Sequence, residues 1–192
     1  MERFYKLQSF YHRDVYFVYG ERNVQSYADA LSQPSNGVGP FYYEVDVLDD
    51  EITQYDILPT LGPELVSAAF VEQFRDVIGQ SVQFIPAEIC DAQGNINRQF
   101  YGMQVLNRYA SVDLTRSQIS YRTYGQHRFL AIHSLVIDAS KVIEPSIFSL
   151  QEKLGYILVN QARYHLCQSL RGVGCGEYRT CHVGIFALIL RV

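Results

Sequence analysis

The chain has 192 residues, of which 48% are hydrophobic and 19% charged, a composition typical of a folded globular protein rather than of a disordered or collagen-like one. A chain of this size buries roughly 70% of the surface that its unfolded form exposes, so it needs no disulfide or metal to hold a core together. A net charge of -4 argues against a protein that holds nucleic acid or an anionic membrane by bulk charge. We expect a single domain over residues 1–192.

The N-terminal segment and the cysteines favour the cytoplasm. Residues 1–6 lack the apolar core and cleavage site of a secretory signal, and no apolar run approaches the roughly 18 residues of a membrane span. The longest apolar run, residues 183–190, predicts a buried strand. In a reducing compartment we expect the four cysteines to be thiols: Cys90, Cys167, Cys175 and Cys181.

Two strands and a helix are predicted in the first part of the chain. Residues 14–20 and 41–48 read as strands on either side of a loop at 32–40. A helix is predicted to begin at Pro63, because proline is tolerated in the first helical turn, and to end at Gly79. Its apolar stripe consists of Val66, Phe70, Phe74 and Val77.

The second part of the chain predicts two antiparallel hairpins and a helix. Strands at 82–90 and 99–106 flank a turn at 91–95, and strands at 119–124 and 128–138 meet at Gly125-Gln126. A helix over 160–171 has Asn160 as N-cap, Gly172 as stop and an apolar stripe of Ala162, Leu166 and Leu170. These elements predict an α+β fold, a single domain with a largely antiparallel sheet and two main amphipathic helices.

No local motif indicates catalysis or a cofactor. Ser67 lacks the Gly-x-Ser-x-Gly turn of a nucleophile elbow and is expected to pack or to start a helix. The glycine-rich run at 172–176 is predicted to be a flexible loop after the helix rather than a phosphate site. The spacing of His165, Cys167, Cys175, Cys181 and His182 is poor for zinc. We therefore expect neither catalytic residues, nor metal, nor cofactor.

Charge is distributed unevenly. Residues 1–97 carry 15 acidic and 5 basic side chains, whereas residues 98–192 carry 5 acidic and 11 basic ones. The two halves are therefore expected to attract each other. The densest acidic segment, residues 44–56, has no lysine or arginine and holds Glu44, Asp46, Asp49, Asp50, Glu51 and Asp56.

The acidic segment is either a solvated turn or a binding surface. Such a segment can dock on the cationic cleft of a nuclease in place of the substrate's phosphates. Tyr42, Tyr43 and Tyr55 lie in or beside it, and the chain has 15 tyrosines and no tryptophan. Tyrosine combines apolar area with a hydroxyl group, so it suits both half-buried strands and protein interfaces.

Five short motifs in the same order are similar to a bacterial family of polymorphic-toxin immunity proteins, immunity protein eleven, formerly a domain of unknown function. They are LGPELVS at 61–67, VQFIPA at 82–87, YGMQVL at 101–106, VDLTRS at 112–117 and IFSL at 147–150. The resemblance covers about residues 55–174. It implies a protein, encoded beside a toxin, that binds and neutralises that toxin and brings no catalytic residues. The chain departs from the family pattern at 177–192, where a polar loop and an apolar strand are added.

The leading hypothesis is an immunity protein that occludes the active or functional surface of a cognate toxin, with a nuclease as the class favoured by the acidic segment. The expected contact residues are Glu44, Asp46, Asp49, Asp50, Glu51, Asp56, Tyr42, Tyr43 and Tyr55. A first alternative is an enzyme or small-ligand protein with a dispersed site from His127, His133, Asp113 and Tyr101. A second is a homo-oligomer in which the acidic half of one subunit meets the basic half of another.

Overall fold

The structure is a computed structural model that describes residues 3–35, 39–125 and 127–179, except for the side chains of residues 124, 127–129 and 175–179. This part of the chain is mostly sheet. Its strands are β1 (Arg3–Ser9), β2 (Phe17–Tyr19), β3 (Phe41–Val45), β4 (Ile57–Leu58), β5 (Thr60–Leu61), β6 (Glu64–Ser67), β7 (Val82–Asp91), β8 (Ile96–Asn97), β9 (Phe100–Val105), β10 (Arg108–Tyr109), β11 (Gln118–Tyr124), β12 (His127–Ser134), β13 (Ile147–Leu150), β14 (Ile157–Asn160) and β15 (Val173–Arg179). Its helices are α1 (Tyr27–Ser32), α2 (Ala68–Gln73) and α3 (Gln161–Cys167).

The largest sheet is a nearly closed barrel. Its strand order is β4-β6-β9-β7-β3-β2-β5, with β8 paired beside β7. The two end strands, β4 and β5, are separated along the chain by Pro59 alone, so the ends of the sheet come back together. Buried side chains from alternate positions fill the interior: Phe17, Tyr19, Phe41, Tyr43, Leu58, Leu65, Ile85, Ile89 and Phe100.

Close packing inside the barrel explains one glycine. A Cβ atom added at Gly102 of β9 would lie 2.4 Å from Cδ2 of Phe41 and 3.1 Å from the hydroxyl oxygen of Tyr43. The two aromatic rings therefore use space that only glycine leaves free.

A second sheet, in the order β10-β13-β14-β1-β15, packs on the outside of the barrel. One of its faces meets the barrel and helices α2 and α3 in a cluster that includes Tyr5, Leu7, Val66, Phe70, Phe74, Met103, Ile157 and Val159. Its other face packs Phe4, Phe148 and Leu158 against Val112, Leu135 and Ile137, which flank the β11–β12 hairpin. Period-two alternation thus gives the second sheet two apolar faces.

Antiparallel pairing dominates, in agreement with the predicted sheet. The predicted partners β7 and β9 pair antiparallel, as do β11 and β12. Among the described strands, the parallel pairs are β10 with β13, β2 with β5, and β3 with β7.

The two main amphipathic helices are not confirmed. The predicted helix beginning at Pro63 starts instead as strand β6, and α2 covers only Ala68–Gln73 before a 3-10 turn at Arg75–Val77. The four apolar stripe residues are all buried. Val66 is buried from a strand, Phe70 from α2, Phe74 from the end of α2 and Val77 from the turn, so burial at helical spacing does not here mark one continuous helix.

Helix α3 begins where predicted but buries a different face. Asn160 is its N-cap and accepts a hydrogen bond from the backbone of Arg163 at 3.0 Å. Ala162 and Leu166, predicted to face the core, are exposed, whereas Arg163 and Cys167 are buried. The third predicted stripe residue, Leu170, is buried just after the helix. The predicted face was thus wrong for Ala162 and Leu166, because Arg163 and Cys167 take the core-facing positions of α3.

The glycine-rich run after α3 forms a strand and not a flexible loop. Gly172 has a φ of 69°, and β15 then pairs antiparallel with β1 over its whole length. A Cβ at Gly174 would lie 1.8 Å from the ring of Phe10. Because Gly174 has no side chain, the aromatic ring of Phe10 can lie directly against β15. The predicted strand at 183–190 lies outside the described residues.

Candidate functional site

The acidic segment 44–56 lies at the end of β3 and in the 3-10 turn Asp50–Gln54 that follows. Asp49 caps this turn by accepting a hydrogen bond from the backbone of Glu51 at 3.1 Å. A short loop with acidic side chains in its first turn is stable because the carboxylates satisfy free backbone N–H groups.

Arginine from the β1–β2 connection neutralises part of this segment. Arg13 contacts Asp46 at 2.6 Å and Asp49 at 3.0 Å, and Tyr11 donates to Asp49 at 2.9 Å. Burial alone would raise the pKa of Asp49, but the hydrogen bonds from Tyr11 and Arg13 outweigh it and hold this pKa below its usual value. Sequence reasoning missed Arg13, because no local pattern shows that a residue 33 positions away folds back on Asp46.

The remaining carboxylates face solvent. Glu44, Asp50 and Glu51 are exposed, and Glu51 lies 3.8 Å from Nδ1 of His12. Asp46 keeps 58% of its side chain exposed despite its pairing with Arg13. We call these four residues, Glu44, Asp46, Asp50 and Glu51, the acidic ridge.

Two of the expected contact residues are buried. Asp56 is 3% exposed; it accepts hydrogen bonds from Ser67 at 2.6 Å and from the backbone of Arg171 at 2.8 Å. Tyr43 is 1% exposed inside the barrel and donates to the carbonyl of Pro63 at 2.8 Å. Both side chains stabilise the fold from the core. The expectation that Asp56 and Tyr43 lie on the contact surface is therefore corrected.

The other two tyrosines border the acidic ridge. Tyr42 is half-buried, with the guanidinium carbon of Arg22 4.1 Å from its ring centroid. Tyr55 is half-buried against Tyr11, their centroids 4.7 Å apart. Next to Tyr42, a hollow of about 360 Å³ is lined by Glu44, Cys90 and Asp91, among others. The ridge therefore has aromatic neighbours held in place by other side chains.

The dispersed enzyme site is not assembled among the described side chains. His133 contacts the hydroxyl of Ser120 at 2.7 Å, and Tyr101 packs between the barrel and the second sheet. Asp113 accepts hydrogen bonds from Thr115 and Arg116, which hold its pKa well below its usual value. No hydrogen bond or ion pair joins these three residues to one another in this part of the chain. The side chain of His127 lies outside the described residues.

The cysteines and histidines considered for zinc do not form a described cluster. In the ranges with described side chains, no three His, Cys, Asp or Glu residues are grouped as metal ligands. Cys90 is a free thiol, half-buried at the end of β7. Cys181 and His182, and the side chain of Cys175, lie outside the description. Ser67, as expected, starts a helix: it caps α2 by accepting from the backbone of Phe70 at 3.2 Å.

Among the described helices, the longest has seven residues, so none can traverse a lipid bilayer. This observation concerns the helices in the described ranges alone.

Comparison with known proteins identifies the family. Among curated proteins, none matches the chain. Residues 26–180, however, match the model of the immunity protein family Imm11. This range extends beyond the resemblance expected at 55–174, and it includes the acidic ridge, the barrel strands from β3 onward and most of the second sheet. The chain therefore belongs to the immunity protein family Imm11.

Proposed function

We propose that this chain is an immunity protein that binds a toxin encoded beside it and neutralises the toxin by covering its active or functional surface. The match to an immunity family over residues 26–180 carries the proposal. The chain acts by binding, without catalysis and without a cofactor. The cytoplasm, where a free thiol such as Cys90 stays reduced, is the compartment in which we propose that the two proteins meet.

The acidic ridge is the contact that we propose for this partner. Its exposed carboxylates present negative charge at one end of the barrel, and Tyr42 and Tyr55 supply apolar area beside it. Charge of one sign on a rigid surface accelerates encounter with a surface of opposite sign. A nuclease, whose cleft binds phosphates, is the toxin class that this ridge suits best.

Charge reversal on the ridge tests this contact. The double variant Asp50→Lys, Glu51→Lys should bind the toxin at least about tenfold more weakly at low salt, mainly through a slower association rate. Asp49 is left intact because it supports the loop through Tyr11 and Arg13. Surface plasmon resonance against the product of the neighbouring gene gives both rate constants.

The matched control is Glu72→Lys, Glu144→Lys, which changes the net charge equally at two other exposed acids. This control should keep most of the wild-type association rate. Equal rates for the two double variants would remove the ridge from the proposal while leaving the immunity function standing.

A further inference from the structure

A half-buried glutamate with one buried carboxylate oxygen lies between the barrel and the second sheet. Glu64 is the first residue of β6, opposite Met103 of β9, and it points to the same side as Val66, toward the second sheet. Its Oε2 atom is buried and has no hydrogen-bond partner among the described residues. Buried polar atoms without partners are rare in folded proteins, so each one needs an explanation.

Hollows lie on both sides of this carboxylate. The inner one is a cavity of about 20 Å³, lined also by Met103, Gln104 and Ser149. The outer one is an open groove of about 340 Å³, lined also by Lys6, Phe10, Tyr16 and Thr60. Glu64 and Gly155 line both hollows. Glu64 therefore lines a groove that opens to solvent.

Lys6 compensates the charge of this carboxylate only in part. Burial raises the pKa of Glu64 to about 7, against a smaller opposing effect of Lys6. The Nζ atom of Lys6 lies 4.1 Å from the ring centroid of Tyr156, and Lys6 forms no ion pair with Glu64. A carboxylate held in this way favours an incoming cation.

Aromatic side chains line the mouth of the groove. Phe10 is 59% exposed and Tyr16 is 54% exposed. Both belong to the connection between β1 and β2, which also places Arg13 against the acidic ridge. The groove and the ridge thus border the same segment of chain.

We propose that this groove receives an arginine side chain of the toxin, whose guanidinium group pairs with Glu64 and whose plane packs against Phe10 and Tyr16. A guanidinium ion suits the site because it is weakly hydrated, donates several hydrogen bonds and stacks on aromatic rings. The same basic surface of the toxin would face the acidic ridge. This inference rests on the proposed function, and it adds a specific anchor to it.

A small-molecule probe tests the groove without the toxin. Methylguanidinium chloride, titrated against the isotope-labelled chain at constant ionic strength, should shift the amide resonances of residues 60–64 and 103–105. In Glu64→Gln, which keeps the size of the side chain, these shifts should fall severalfold, whereas in the control Glu72→Gln they should remain. Shifts that are absent from the groove, or unchanged in Glu64→Gln, would show that the carboxylate binds nothing larger than water.

The toxin itself provides the second arm of the experiment. Glu64→Gln should bind the toxin about 30-fold more weakly than wild type, mainly through faster dissociation. Toxin binding with wild-type affinity would overturn the anchor and leave the immunity function intact. Failure of the wild-type chain to bind any neighbouring toxin would overturn the proposed function, and the methylguanidinium titration would still decide whether the groove takes a guanidinium. Circular dichroism checks that each variant is folded.

Discussion

At the scale of single residues, two buried carboxylates have opposite surroundings. Asp56 accepts hydrogen bonds from Ser67 and Arg171, which connect β4, the start of α2 and the chain after α3. Glu64 has an oxygen without any partner in the described structure. Asp56 stabilises the fold. Glu64 lowers the stability of the folded protein, because a buried oxygen without a hydrogen-bond partner costs free energy, and a ligand that donates to this oxygen would offset that cost.

Replacement of Asp56 should destabilise the protein in a pH-dependent way. Burial would raise the pKa of Asp56, but hydrogen bonds from Ser67 and Arg171 lower it below its usual value. Its contribution is therefore complete above about pH 4 and is lost as the pH falls through the lowered pKa. Asp56→Asn should reduce the free energy of unfolding by about 2–4 kcal/mol at pH 7.

Urea unfolding of wild type and variant between pH 7 and pH 2.5 measures this effect, with the exposed Asp14→Asn as control. The gap between wild type and Asp56→Asn should narrow at the acidic end. A gap that stays constant across this range would show that the charge of Asp56 contributes nothing.

Replacement of Glu64 should raise the free energy of unfolding, whereas replacement of Asp56 should lower it. Because burial raises the pKa of Glu64 to about 7, the folded state resists ionisation that the unfolded chain undergoes near pH 4.5. Wild-type stability should therefore fall as the pH rises from about 4.5 to 7. Glu64→Gln should match wild type at pH 4 and exceed it by about 3 kcal/mol at pH 8. Thermal unfolding at these two pH values is the measurement, and a variant less stable than wild type at pH 8 would contradict it.

Sequence reasoning located part of the candidate site and missed the rest for physical reasons. Six acidic residues within 44–56 form a local pattern, so the position of the acidic segment could be predicted from the sequence. A local pattern carries no information on partners that are distant in the sequence. The burial of Asp56 under Arg171 and the pairing of Asp46 with Arg13 therefore could not be predicted from the sequence. Glu64 directly follows Pro63 and falls in the first turn of the predicted helix, but it begins strand β6 instead.

At the scale of elements, alternation was a better guide than helical spacing. The strands β3, β7 and β9 and the β11–β12 hairpin lie close to where period-two patterns and turn residues place them. The helices are too short to impose a stripe of their own, since α2 and α3 span less than two turns each. Closure of the barrel depends on the parallel pairing of β2 with β5, which no local pattern encodes.

Helices α2 and α3 are joined by one buried arginine. Arg163 of α3 donates to the carbonyl of Gln73 at 2.9 Å, forms an ion pair with Asp76, and lies 5.4 Å from the ring centroid of Phe74. Its stem is packed in the core while its charged end reaches the surface, where Asp76 keeps 70% of its side chain exposed. The planar guanidinium group can donate to the carbonyl of Gln73 and pair with Asp76 at the same time.

Removal of this arginine should loosen the helix pair. Arg163→Ala should lower the free energy of unfolding by about 2–3 kcal/mol, because it leaves the carbonyl of Gln73 without its donor and empties a packed site. Chemical denaturation measures the loss. The exposed Arg75→Ala, which removes only a surface pair with Glu72, should change stability by less than about 1 kcal/mol. Equal losses in the two variants would contradict the structural role of Arg163.

Across the whole molecule, ion pairs within the chain neutralise part of the charge difference between the acidic first half and the basic second half. Ion pairs join the acidic first half to the basic second half at Glu88 with Arg98, Asp76 with Arg163, and Asp56 with Arg171. Three acids of the ridge, Glu44, Asp50 and Glu51, form no ion pair with an arginine whose side chain is described, and we propose that they are available to another molecule. Long-range attraction to a basic partner follows from this distribution.

Binding of the toxin should therefore depend on salt. The association rate should fall by at least about tenfold between 20 mM and 500 mM sodium chloride, because the Debye length shrinks from about 20 Å to about 4 Å. The dissociation rate should change much less, since buried contacts are weakly screened. Stopped-flow kinetics over this range measures both. An association rate independent of salt would contradict electrostatic steering by the ridge.

The central claim is that the chain acts by covering another protein rather than by chemistry. The most direct measurement is the activity of the purified toxin from the neighbouring gene, titrated with the purified chain. Toxin activity should fall linearly and reach zero when one chain is present for each toxin molecule. Full toxin activity in the presence of excess chain, or complete inactivation by a small fraction of an equivalent, would contradict it.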